Sequence, residues 1–196
     1  MRRLHAGLAA LLLAGAGLTA AAVPAGTAVA AGGVATAEAR CTAGWGSLPK
    51  VSTATEYKPL RDIRTGRHEC YDRMVFDILG PGTGPVGYHV RYVDKLQQDG
   101  SGDVIPVSGG AILEVRVAAP AYDPATGQVS YDGKARQPLP EVDLTGYRTF
   151  QDARFGGSFE GDTQVGLGVR ARLPFRVFQD GNHLVVDVAH SWQGFR

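Results

Sequence analysis

Long apolar runs are almost absent from this sequence. The one at residues 6–18 falls short of the roughly 20 residues a helix needs to span a bilayer, and no second one follows. A membrane span is therefore not expected. Basic clusters are missing too: Lys and Arg number 20 against 19 Asp and Glu, with no block among them. Nothing here would neutralise a phosphate backbone, so nucleic acid is not an expected partner. An anionic membrane surface is disfavoured on the same ground. The histidines at 68, 89, 183 and 190 show neither H-x-x-x-H nor H-E-x-x-H spacing, which removes the recognisable zinc motifs. Amphipathic helices of ten or more residues are lacking, and so are internal repeats. Cys41 and Cys70 are the only cysteines. They stand far apart with no other soft ligand nearby, which argues against a metal or redox thiol pair.

What is present begins at the N-terminus. Arg2 and Arg3 precede the apolar run, and Ala28-Val29-Ala30 follows it with small-x-small spacing; Ala20-Ala21-Ala22 is an earlier option. That order of regions is the pattern of a secretory signal peptide, expected over residues 1–30. Glu38-Ala39-Arg40 before Cys41 rules out a lipobox, so the expectation is a freely secreted protein, extracellular or wall-associated. Removing Arg2 and Arg3 from 20 basic residues against 19 acidic ones leaves one excess acid. A flexible leader over 31–40 and one domain over 41–196 follow. In an oxidising compartment Cys41 and Cys70 are expected to pair. The closed loop of about 30 residues is worth roughly 3–4 kcal/mol in the chain-entropy model.

The domain reads as short apolar runs broken by turns. Met74, Phe76 and Ile78 alternate to one face of 71–79, and Tyr88, Val90 and Tyr92 oppose His89 and Arg91. Leu113, Val115 and Val117 oppose Glu114 and Arg116. Period-two alternation marks half-buried strands. Further strands are expected at 60–64, 147–154, 163–169, 175–178 and 183–188. The last is apolar on both faces near its centre and reads as an inner strand. Residues 118–145, rich in Gly, Pro and Asp, read as a long surface connection. About eight mostly antiparallel strands at this spacing predict an all-β, single-domain β-sandwich.

Several stretches mimic chemistry. GLGVRA at 166–171 spells G-x-G-x-x-A, the dinucleotide turn, yet Pro174 blocks the helix that such a turn requires. Gly166 and Gly168 share one strand face, so they are expected to admit a closely approaching layer. Asp99, Ser101 and Asp103 space three oxygens like the start of a calcium loop. However, Val104 and Gly110 stand where an EF-hand needs Gly and Glu, and the stretch reads as a turn with weak calcium potential. Ser158 fails the G-x-S-x-G spacing because Glu160 replaces the second Gly. A catalytic set assembled only in space stays open at this stage. Trp45 and Trp192 are candidate ligand contacts, as aromatic platforms for sugar rings. Trp45 is expected to cover the disulfide and Trp192 to be exposed.

The stretch HECYDRMVFD at 68–77 resembles a conserved strand pattern, H-x-x-[YF]-D-R-hydrophobic-V-F, of the AMIN-like family of secreted actinobacterial proteins. YHVRYVD at 88–94, DGSG at 99–102, GAILEVRV at 110–117 and FEG at 159–161 follow in the family's order. GLG at 166–168, LPFRVF at 173–178 and LVVDV at 184–188 complete it, so the resemblance covers about 41–192. It implies kinship with the AMIN domain of cell-wall amidases, a β-sandwich that contacts peptidoglycan. The implied role is a binding module rather than an enzyme, with no catalytic residues and no cofactor to carry over. AMIN domains usually accompany an enzyme or a pore, for which these residues leave no room.

The combined expectation is a secreted, non-catalytic module that associates with a cell-wall polymer, peptidoglycan or another envelope glycan. An extracellular protein-interaction module or inhibitor acting on an envelope protein is the alternative, and a secreted hydrolase a third reading. Arg73 lies mid-strand between Asp72 and Asp77. It is expected either to pair with a carboxylate at the surface or to act as a fork for a peptide-stem carboxylate.

Overall fold

The computed structural model describes residues 44–54, 58–78, 80 and 84–193. The expected signal peptide, the 31–40 leader and Cys41 lie outside them. Among the described residues there are eleven strands and no helix. They are β1 (Lys50–Ser52), β2 (Leu60–Arg67), β3 (Tyr71–Ile78), β4 (Tyr88–Val93), β5 (Leu96–Gln97) and β6 (Val104–Ile105), then β7 (Ala111–Val117), β8 (Phe150–Phe159), β9 (Asp162–Val169), β10 (Phe175–Asp180) and β11 (His183–Ala189). Two main sheets form, ordered β1-β4-β7-β9-β8 and β10-β11-β3-β2, and every pairing is antiparallel. β5 and β6 make a small hairpin of their own.

The alternation read from sequence sets which side chains point inward. Met74, Phe76 and Ile78 from β3 meet Val90 from β4 and Leu113, Val115 and Val117 from β7 in one core. Burying a side chain such as Phe76 contributes about 1.5–3 kcal/mol. β11 is the inner strand its composition predicts, between β10 and β3, with Leu184, Val186 and Val188 in the core.

Two regions depart from the sequence reading. The strand expected at 147–154 starts later and runs further, through Gly156 and Gly157; one bulge lies at its start, between Phe150 and Asp152, and a second, between Phe155 and Gly157, carries the chain past the glycines. Gly157 takes φ +126° at the second bulge, a backbone state open to glycine. Residues 118–145 contain no long strand, but they are more than a surface loop. Ala119, Ala121, Tyr131 and Leu139 are buried in the core. The segment also hydrogen-bonds along β8: Arg136 N donates to Phe155 O (2.7 Å) and Phe155 N to Gln137 O (3.0 Å). An edge strand left bare would invite pairing with other chains, and this segment covers it.

Candidate functional site

The outer face of the five-stranded sheet carries a polar layer. His89 and Arg91 of β4, Glu114 and Arg116 of β7, and Gln164 of β9 all point there, opposite the core residues of the same strands. The Glu114 carboxylate is nearly buried and is held from two sides: Arg91 Nε donates to Oε2 (2.9 Å) and Gln164 Nε2 to Oε1 (2.8 Å). The Gln164 amide also donates to Gln97 O (2.9 Å) and accepts from Asp99 N (3.1 Å). Arg116 closes the chain of contacts by gripping the Asp99 carboxylate through Nε (2.8 Å) and Nη2. A buried carboxylate without such partners would be strongly disfavoured.

This network pins residues 95–105 across the sheet, and the two glycines of the G-x-G-x-x-A stretch make room for it. A Cβ on Gly166 would lie 2.3 Å from Leu96 Cδ2, and one on Gly168 would lie 1.8 Å from Ser108 O. The glycines thus admit a second layer over β9, as expected, and Phe175 opens a strand where a nucleotide-binding fold needs a helix.

Beside the pinned segment lies a groove of about 870 Å³ bordered by Arg91, Asp94, Lys95, Gln97, Ser101 and Arg116, among others. Its charges alternate in sign, so it has no net field to attract a polyanion. Asp94, Lys95 and Gln97 are exposed, and their side chains make no hydrogen bond among the described residues. They are open donors and acceptors on a rigid backing. Tyr92 flanks the groove but is a clamp: its hydroxyl donates to Leu173 O (2.7 Å) and accepts from Leu173 N (3.0 Å). Burial pushes that hydroxyl's pKa up to about 12. Burial and the nearby Arg91 charge lower the pKa of His89, and burial raises that of Asp162 behind it.

Arg73 sits on the opposite sheet's outer face. Asp187 of β11 is fully buried there, and neither Asp72 nor Asp77 is Arg73's partner. Arg73 Nε and Nη2 donate to the two Asp187 oxygens (2.6 and 2.9 Å), and Arg176 Nε donates to Oδ2 (2.8 Å). Both guanidinium groups lie over aromatic rings, Arg176 over Trp45 (4.8 Å) and Arg73 over Tyr71 (5.1 Å), with Phe178 beside both. His68 stacks on Tyr71 at 4.5 Å, and burial together with the Arg73 charge lowers its pKa.

The other sequence candidates spread out. Trp45 belongs to this arginine–aromatic stack; its expected partner Cys41 lies outside the described residues, so the disulfide pairing with Cys70 is not placed here. Trp192 is 42 % exposed and its indole N–H donates to Arg172 O (3.0 Å). Asp99 and Asp103 turn away to different arginines, 116 and 136, and Ser101 Oγ accepts from Asp103 N. No group of three metal-ligating side chains occurs among the described residues. Ser158 Oγ donates to Asp162 O beside the Glu160-Gly161 turn and accepts from Ala121 N. His190 is buried between Glu69 O and Asp72 (3.1 Å each), and Asp72 Oδ2 accepts from Thr149 N and Phe150 N. This His–Asp pair fastens the end of β11 to the start of β8. His183 lies beside Asp77, which Arg64 also grips (3.0 and 3.1 Å).

Sequence reasoning missed the groove. Glu114 read as an ordinary outward residue and Gln164 was not singled out; only the register that sets Glu114 opposite Gly166 brings the 95–105 segment down on them. The spacing of the two glycines was the one available signal.

A family model for the AMIN-like domain matches residues 58–190, more than half of the chain. The chain belongs to the AMIN-like domain family. The match begins just before β2 and ends after β11, so it includes every strand of the two sheets except β1, and the polar groove. No curated protein and no solved structure matches. No helix among the described residues of this AMIN-like domain is long and apolar enough to cross a membrane.

Proposed function

We propose that this AMIN-like domain is a secreted, non-catalytic binding module that associates with the cell wall through peptidoglycan or another envelope glycan. The observation that carries this reading is the groove on the five-stranded sheet. It is polar and its charges balance, and it offers Asp94, Lys95 and Gln97 to a hydroxyl- and amide-rich chain. A neutral glycan suits it better than a small apolar ligand, which would need a deep apolar pocket. The backing Arg91–Glu114–Gln164–Asp99–Arg116 network is internally satisfied, so it holds the shape of the groove and leaves recognition to the rim. Secretion and the Cys41–Cys70 disulfide belong to the same proposal and rest on the N-terminal sequence pattern.

Co-sedimentation of residues 31–196 with purified peptidoglycan tests the proposal. The wild type should pellet with the polymer, and Lys95→Ala/Gln97→Ala should stay largely in solution while keeping its melting temperature. A wild type that remains soluble at every salt concentration overturns it. The protein-interaction reading has one observation in its favour. Leu48 (74 % exposed) and Trp192 both lie near Arg172, whose guanidinium donates to Ser47 O. That cluster is small beside typical protein interfaces.

A further inference from the structure

On the outer face of the four-stranded sheet the register places three rows of side chains side by side. Arg176, Asp187, Arg73 and Gly66 form one row across β10, β11, β3 and β2. Phe178, Val185, Val75 and Arg64 form the next, and Asp180, His183 and Asp77 the third. Val75 and Val185 point away from the core and yet are only 5 % and 4 % exposed. They floor a cleft of about 240 Å³ walled by Arg64, Arg73, His68, His183 and Asp180, with Gly66 leaving one side open.

The charges around this floor are unevenly used. Arg73 gives Nε and Nη2 to Asp187 and Tyr71, and Arg64 gives Nε and Nη2 to Asp77. A guanidinium carries five N–H donors, so Arg73 keeps Nη1 for a ligand, while Arg64 is turned to Asp77 in the row of His183 and Asp180. Asp180 is exposed, and its carboxylate makes no hydrogen bond among the described residues. It lies across the valine floor from Arg73, two strands over and four residues along from Arg73's row. Strands stand about 4.8 Å apart and rise about 3.3 Å per residue. The ammonium and carboxylate of one α-carbon are therefore too close together to reach both ends.

We infer that this cleft binds a linear amino-alkyl carboxylate, a lysine-like group whose carboxylate meets Arg73, whose methylenes lie on Val75 and Val185, and whose ammonium meets Asp180. Such a group occurs as a free diamino acid or as the end of a peptide that keeps both charges. The cleft is on the other sheet from the groove, so this inference stands independently of glycan binding.

Isothermal titration of residues 31–196 with 6-aminohexanoate tests it. Saturable binding is expected, about five-fold weaker for 6-acetamidohexanoate, which lacks the ammonium. Binding of 4-aminobutanoate should be weaker as well, since its charges are closer together. Asp180→Asn should lower affinity for 6-aminohexanoate by about the same factor and leave that for the acetamido analogue unchanged. Asp180 is exposed, so this variant should fold as the wild type does. Free lysine, a peptide ending in lysine and one with internal lysine only then identify the source. The first or second should bind, and the third, lacking a nearby carboxylate, should not. No binding of 6-aminohexanoate at millimolar concentration, or binding indifferent to Asp180→Asn, overturns the inference. Failure here with peptidoglycan retention intact would leave the wall-binding reading in place.

Discussion

Asp187 is the most demanding residue of the fold, and removing its partners one at a time measures why. Its carboxylate is fully buried and accepts from Arg73 at 2.6 and 2.9 Å and from Arg176 at 2.8 Å. Hydrogen bonds to charged groups contribute about 1.5–3 kcal/mol. Arg73→Leu or Arg176→Leu alone should cost about that much, since the other guanidinium still neutralises the anion. The double substitution leaves a buried carboxylate with no counter-charge, a situation that costs about 3–5 kcal/mol beyond the first loss. The pair should therefore be worse than the sum of the singles by about 1–3 kcal/mol. The total loss for the double variant, about 4.5–8 kcal/mol, is comparable to the whole 5–15 kcal/mol of a typical domain. Adding Asp187→Leu to the double variant should recover most of the loss, because an apolar cluster has no charge to strand. Urea unfolding with linear extrapolation reads all five proteins. Additive singles, or a triple variant no more stable than the double, would show that Asp187 is solvated and refute the reasoning.

Three further outcomes follow from the structure. Gly168→Ala should destabilise by about 1–3 kcal/mol and speed proteolysis within 95–109, because its Cβ would meet Ser108 O at 1.8 Å; unchanged cleavage would show that the layer is not packed there. His68 and His89 have pKa values lowered by burial and by Arg73 or Arg91. Groups that are harder to protonate when folded stabilise above the ordinary histidine pKa, and that stability is lost as pH falls through it. NMR titration should give midpoints below 6.5 for both, and His89→Gln should flatten the fall in stability between pH 7 and 5; a midpoint above 6.5 contradicts the assignment. Non-reducing peptide mapping should find Cys41 joined to Cys70, with reduction lowering stability by roughly 3–4 kcal/mol; two alkylatable thiols in the secreted protein would contradict the pairing.

The fold was legible in the sequence wherever alternation was strict. β3, β4 and β7 fall where the periods of Met74/Phe76/Ile78, Tyr88/Val90/Tyr92 and Leu113/Val115/Val117 put them. Local pattern failed where tertiary contact decides. The strand expected at 147–154 stopped short of Gly156 and Gly157, but a bulge keeps them in β8. Residues 118–145 read as surface because few of their side chains are apolar, yet those few are the ones that turn inward. β5 and β6, at two residues each, give no period to detect. The candidate site was less visible still. Arg73 could be singled out, but its partner is 114 positions away, and such a pairing is set by register between strands. The Gln164–Glu114 network is likewise a product of register.

The central claim is that the rim of the β4–β7 groove recognises wall glycan without breaking it. The direct measurement is an NMR titration of isotope-labelled residues 31–196 with soluble peptidoglycan fragments. The account predicts saturable shifts at Asp94, Lys95 and Gln97, and fragments recovered intact at the end. Shifts confined to other surfaces, no shifts at all, or cleaved fragments would contradict it.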